Sequence, residues 1–92
     1  MTWDINNTTA HTLCVYTSCE KQDGTSHTES YSLDPQETRK IEVDTQIFCT
    51  MHIHSDIGSH AFVFHKSELM ESSHFGNLAV SIGTAVRTIT CK

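Results

Sequence analysis

Thr50-Met51-His52-Ile53-His54-Ser55-Asp56-Ile57-Gly58-Ser59-His60-Ala61-Phe62-Val63-Phe64-His65 decides the fold class and has the most unusual composition in the chain. Apolar and polar residues alternate on both sides of a Ser55–Ser59 turn. That is the period of half-buried strands, so the stretch reads as one β-hairpin. Four of the seven histidines lie between His52 and His65. Histidine changes charge nearest neutral pH and is the commonest protein metal ligand. The cluster therefore points to a metal, a proton-sensitive element or a polar binding face.

Two registers are open for this hairpin. With His54 opposite His60, one face holds Phe48, Thr50, His52, His54, His60, Phe62 and Phe64. Ile47, Cys49, Met51, Ile53, Ala61, Val63 and His65 then form the other face, which looks like core. A one-residue bulge moves Phe62 and Phe64 to the side of Ile53 and leaves His65 outside.

Period-two alternation continues in both directions along the chain. Trp3 and Ile5 mark a first strand, and Leu13, Val15 and Thr17 a second. A polar stretch with an Asp23-Gly24 turn signal follows. Tyr31 and Leu33 belong to a third strand, which stops at Asp34-Pro35-Gln36-Glu37, with Asp and Pro where a type I turn prefers them. Ile41 and Val43 alternate with Lys40, Glu42 and Asp44 in a fourth. Gln46 to His54 and His60 to Lys66 are the hairpin strands. Ser67 to Ser73 allows one or two helical turns with Ser67 as N-cap. Leu78, Val80 and Ile82 make a seventh strand and Val86 to Cys91 an eighth. The expected fold is all-β: one domain over residues 1–92, a small antiparallel sandwich or barrel of seven to eight short strands. At most one short helical turn is expected, near 67–73.

Composition agrees. Thirteen Thr and ten Ser make a quarter of the 92 residues, which favours strands and turns. No run of eighteen apolar residues occurs, so no membrane-spanning helix is expected. Eleven carboxylates against six Lys and Arg give a net charge of −5. Arg39-Lys40 is the one adjacent basic pair, so the electrostatic footprint of a nucleic-acid binder is missing. Protonating several histidines at pH 5 to 6 would cancel most of that charge and make association pH-dependent. Met1-Thr2-Trp3-Asp4 lacks the basic and apolar regions of a signal peptide. The chain is thus either cytoplasmic or a secreted protein shown without its leader.

Cys14, Cys19, Cys49 and Cys91 are disulfide candidates with three possible full pairings. A bridge from Cys91 to an interior strand would tie down the C-terminus, and four reduced thiols would imply the cytoplasm. Asn6-Asn7-Thr8-Thr9 carries two overlapping glycosylation sequons.

Three chemistries compete. A metal site would use His52 and His54, about 7 Å apart on one side of a strand, with His60 as third ligand and Asp56 as a carboxylate. Three protein ligands and water suit Zn, Cu or Ni. An interaction face would use Phe48, His52, His54, His60, Phe62 and Phe64 to bind a protein partner or a second copy. For nucleophilic catalysis, Cys49 beside His65 is the one pairing worth naming, and Glu68 and Glu71 read as a solvated face rather than a catalytic pair. Trp3, Tyr16 and Tyr31 raise the option of a carbohydrate surface.

Asp4-Ile5-Asn6-Asn7, Cys14-Val15-Tyr16 and the run from Leu33 through Pro35 to Val43 resemble the opening strands of thaumatin-like sandwiches. The likeness covers only the first half, and the chain is shorter and poorer in cysteine than that family. No function or residue is carried over from it. The leading expectation is a non-enzymatic, secreted binding protein of effector, toxin or inhibitor type, with no cofactor. The alternative is a metal-binding protein, extending to a metalloenzyme, through His52, His54 and His60.

Overall fold

A computed structural model describes residues 2–43, 47–66, 68–83 and 86–92. Nine strands and no helix are found among them: β1 (Thr2–Asn7), β2 (Leu13–Glu20), β3 (Ser26–Leu33), β4 (Thr38–Glu42), β5 (Phe48–Ser55), β6 (Gly58–His65), β7 (Glu68–Gly76), β8 (Val80–Gly83) and β9 (Thr88–Cys91). They form a four-stranded sheet, ordered β4-β1-β9-β8, and a five-stranded sheet, ordered β3-β2-β5-β6-β7. Every pairing is antiparallel except β1 with β9. No helix among the described residues is long and apolar enough to cross a membrane.

Alternation places the core between the sheets. Trp3, Ile5, Ile41, Ile89 and Cys91 come from the four-stranded sheet; Leu13, Val15, Met51, Ile53, Phe62 and Phe64 come from the five-stranded one. Trp3 meets Phe64 edge-on across the layers, with ring centroids 5.2 Å apart. Burying aromatic and aliphatic side chains of this size is the main stabilising term, about 1.5–3 kcal/mol each.

The β5–β6 hairpin takes the second of the two registers. Ser55 pairs with Gly58 and His54 with Ser59, leaving Asp56-Ile57 as a two-residue turn. Phe62 and Phe64 therefore face inward and are fully buried, at 0 % exposure. A short turn, rather than a bulge, produces the one-residue shift.

The segment expected to turn helically is instead the strand β7; Ser67, its supposed N-cap, lies outside the described residues. A single helical turn has an unfavourable nucleus, whereas pairing with β6 satisfies a backbone edge that would otherwise be open. The register slips between Val63 and Phe64, where Met70 is the extra residue. At the far end Gly58 and Gly76 stand opposite each other, both at positive φ (154° and 84°). A Cβ on Gly76 would come within 2.7 Å of Gly58 Cα and of the Ile57 carbonyl oxygen, so glycine is what lets the two strands close.

Two further devices hold the frame. Asn7 is buried and uses its whole amide. Nδ2 donates to the carbonyls of His11 (2.7 Å) and Leu33 (3.0 Å), while Oδ1 accepts from Thr9 N (3.0 Å) and Thr9 Oγ1 (2.6 Å). This sequon asparagine is thus a loop anchor closed to a glycan. The Asp34–Glu37 turn forms where expected, with Glu37 N donating to Asp34 O (3.0 Å). Gln36, however, has φ 66°, the signature of a type II turn rather than type I.

Cys19 and Cys49 are register partners on β2 and β5 and form a disulfide. Cys14 and Cys91 are free thiols, the first exposed and the second buried. Burial pushes the Cys91 thiol up to about 11, which makes it an inert core group. The C-terminus is tied by parallel pairing with β1 and by Lys92 N donating to Ala79 O (2.9 Å), not by a Cys91 bridge.

Candidate binding face

The observed register splits the histidine cluster between the two faces of one sheet. His52 and His54 project outward from β5 and are exposed, whereas His60 lies on the inner side of β6, aligned with Ile53 on β5 and His74 on β7. The three-histidine ligand set therefore does not converge. Asp56 stands away from it, with one carboxylate oxygen 3.3 Å from His11 Nδ1. Among the described residues, no three His, Cys, Asp or Glu side chains are grouped to hold a metal ion. The shared face of Phe48, His52, His54, His60, Phe62 and Phe64 is likewise divided: Phe48, His52 and His54 lie on the outer side, His60 is half-buried on the inner side, and Phe62 and Phe64 belong to the core.

The other candidates separate too. Cys49 is committed to the disulfide, and His65 stacks on Phe48 on the outer side, with centroids 4.8 Å apart. Cys49 and His65 therefore do not meet. Trp3 is buried, and Tyr31 is half-covered by Arg39, whose guanidinium carbon is 4.9 Å from the ring centroid. Of the three rings weighed for sugar stacking, only Tyr16 faces solvent.

What the sheet does bring together on its outer face can be read across the strands. Ser32, Cys14, His54, Ser59 and Phe75 form one row; Ser30, Tyr16, His52, Ala61 and Ser73 form the next. Thr28, Ser18, Thr50, Val63 and Glu71 form the third. Tyr16 is 42 % exposed, Phe48 50 % and Phe75 79 %. A shallow groove of about 570 Å³ runs along β2, lined by the Cys14–Tyr16 and Ser30–Ser32 segments with His52 and His54. Cys14 and Tyr16 were absent from the expected face because their positions beside His54 and His52 depend on the β2–β5 pairing. Nothing in the local sequence encodes that pairing.

The polar groups of the central pair of rows are not consumed internally. Among the described residues, Cys14, Tyr16, His52 and His54 make no side-chain hydrogen bond or ion pair to one another. They offer hydroxyl, thiol and imidazole groups on a firm backbone. No carboxylate, lysine or arginine occurs in the first two rows.

Comparison with protein-family models, curated proteins and solved structures gave no match. Fold and face together define a class: a small, disulfide-bonded, all-β domain with one aromatic and histidine-bearing sheet surface.

Proposed function

We propose that this protein is a non-catalytic interaction module that docks a protein partner on the outer face of its five-stranded sheet. The observation that supports this most is the exposed set of Tyr16, Phe48, His52, His54 and Phe75 on one continuous sheet surface. Tyrosine and other aromatics dominate interface energetics because they bury large area with few rotors. Five strands about 4.8 Å apart and seven residues long give a footprint on the order of 500 Å². Two such faces approach the roughly 1,000 Å² that a specific interface requires.

The partner we favour is a second copy. The chain carries a net charge of −5, yet the centre of this face is formally uncharged, so two copies meet there without stacking carboxylates. Two flat sheets also pack face to face at about 10 Å. The Cys19–Cys49 disulfide supports an oxidising compartment, in keeping with a secreted protein of effector, toxin or inhibitor type.

Sedimentation velocity on the oxidised chain tests the reading. Wild type is expected to dimerise with rising concentration. Tyr16→Glu is expected to weaken association about thirtyfold, the size of a 2 kcal/mol interface anchor, with thermal unfolding unchanged. A wild-type chain that stays monomeric at millimolar concentration would overturn self-association.

A further inference from the structure

β7 is an edge strand with few anchors. Of its nine residues only Leu69 is partly buried; the other described side chains are exposed. Beyond the backbone ladder to β6, its side-chain hold is Leu69 at one end, the Gly58–Gly76 approach at the other, and a ring pair between. That pair is His60 with His74, directly opposite in register, centroids 5.0 Å apart and planes inclined by 31°. Both rings border an open, shallow depression of about 250 Å³ beside Ala79 and Val80.

We infer that His60 and His74 form an acid-sensitive latch that holds β7 on β6 while both rings are neutral and releases the strand when both are protonated. Among the described residues no carboxylate compensates the charged forms, and a hydrogen bond with the Leu78 backbone is the one contact that favours a charged His60. His60 Nδ1 is enclosed without a hydrogen-bond partner, so a proton placed there has no acceptor. His74 donates from Nε2 to the Gly76 carbonyl oxygen (2.8 Å), which leaves its Nδ1 to take up the second proton, close to the first ring.

Among the described residues no carboxylate neutralises the pair. The inner-face neighbours on β5 and β6 are Ile53 and Phe62, and the segment running into β8 brings Asn77, Leu78, Ala79 and Val80. Cys91, register partner of Val80 on β9, is a neutral thiol. Asp56 in the adjoining turn lies against His11, and Glu71 belongs to the outer face. Burial first, and the His74 charge second, hold His60 below its ordinary value; a hydrogen bond with the Leu78 backbone pulls the other way. The released state therefore takes up protons more readily. The latch is fully closed above about pH 6.5, the ordinary histidine value, and weakens as pH falls below it.

Amide hydrogen exchange on the full oxidised chain, expressed as protection factors, reads this directly. Between pH 7.5 and pH 5.0, protection of residues 69–75 is expected to fall about tenfold relative to β2 and β5. His74 is exposed, so His74→Gln is expected to fold normally and to remove most of that fall. His27→Gln, altered at an exposed position on β3 outside the docking rows, should retain it. Equal β7 protection at both pH values, or an undiminished fall in His74→Gln, would overturn the latch.

Discussion

The two outer faces of the sandwich are built alike and equipped differently. On the four-stranded sheet, neighbouring polar side chains satisfy one another across β4, β1 and β9. Thr38 Oγ1 donates to Asn6 Oδ1 (2.7 Å), Asn6 Nδ2 to Thr90 Oγ1 (3.4 Å), and Lys40 Nζ to Asp4 Oδ1 (3.2 Å). On the five-stranded sheet, Tyr16, His52 and His54 stand in adjacent positions with no such ladder, flanked by exposed Phe48 and Phe75. A self-satisfied polar face gains little from a partner, because association would exchange existing hydrogen bonds for new ones. An aromatic face with idle polar groups has both area and bonding capacity to gain. Solubility alone would be served by either, so the asymmetry is in keeping with the proposed docking role.

The comparison breaks hardest at its root, the register of β6. Phe62→Asp puts a carboxylate where the ring is fully buried, and should cost more than about 4 kcal/mol, enough to unfold the chain. Circular dichroism at 25 °C measures this. A folded Phe62→Asp protein that merely lost a partner would restore the other register and dissolve the distinction between the faces.

Removing the covalent tie comes next. Cys19→Ser with Cys49→Ser should lower stability by about 2–4 kcal/mol, by freeing a loop of 30 residues in the unfolded chain. Because the bridge joins β2 to β5, Tyr16 and His52 should lose exchange protection more than Asn6 and Thr90. Urea unfolding gives the first quantity and residue-resolved exchange the second.

Substitutions confined to either outer face should move stability far less. Lys40→Ala removes an ion pair whose lysine is 73 % exposed, and should cost about 0.2–1 kcal/mol, less at high salt. Tyr16→Glu should change stability by less than about 0.5 kcal/mol while weakening association. A Tyr16→Glu chain whose melting temperature collapsed would make Tyr16 part of the fold and not of a docking surface.

Much of this frame is legible in the residues. Trp3 with Ile5, Leu13 with Val15, and Ile41 with Val43 alternate cleanly because one side of each strand meets the core. Pro35 marks its turn, though Gln36 hides its type: glutamine gives no local sign that a positive φ will be imposed on it. The hairpin was ambiguous because Ile57, an apolar residue, occupies a two-residue turn and looks like strand continuation. β7 was misread because an edge strand carrying a bulge leaves both its sides exposed, and Glu68-Leu69-Met70-Glu71-Ser72-Ser73 loses the period of two. The disulfide and the company of Cys14 and Tyr16 with His54 and His52 all arise from β2 pairing with β5, between residues some thirty to forty positions apart. The His60–His74 pair depends similarly on the β6–β7 register.

The most direct measurement is a dilution series of ¹⁵N-labelled, oxidised protein followed by backbone chemical shifts. Docking of two copies through the five-stranded sheet predicts concentration-dependent shifts concentrated at Cys14, Tyr16, Thr50, His52, His54 and Ala61, with Asp4, Asn6, Thr38 and Thr90 unmoved. Shifts centred on the Asp4, Asn6 and Thr90 face, or no shifts up to millimolar concentration, would contradict it.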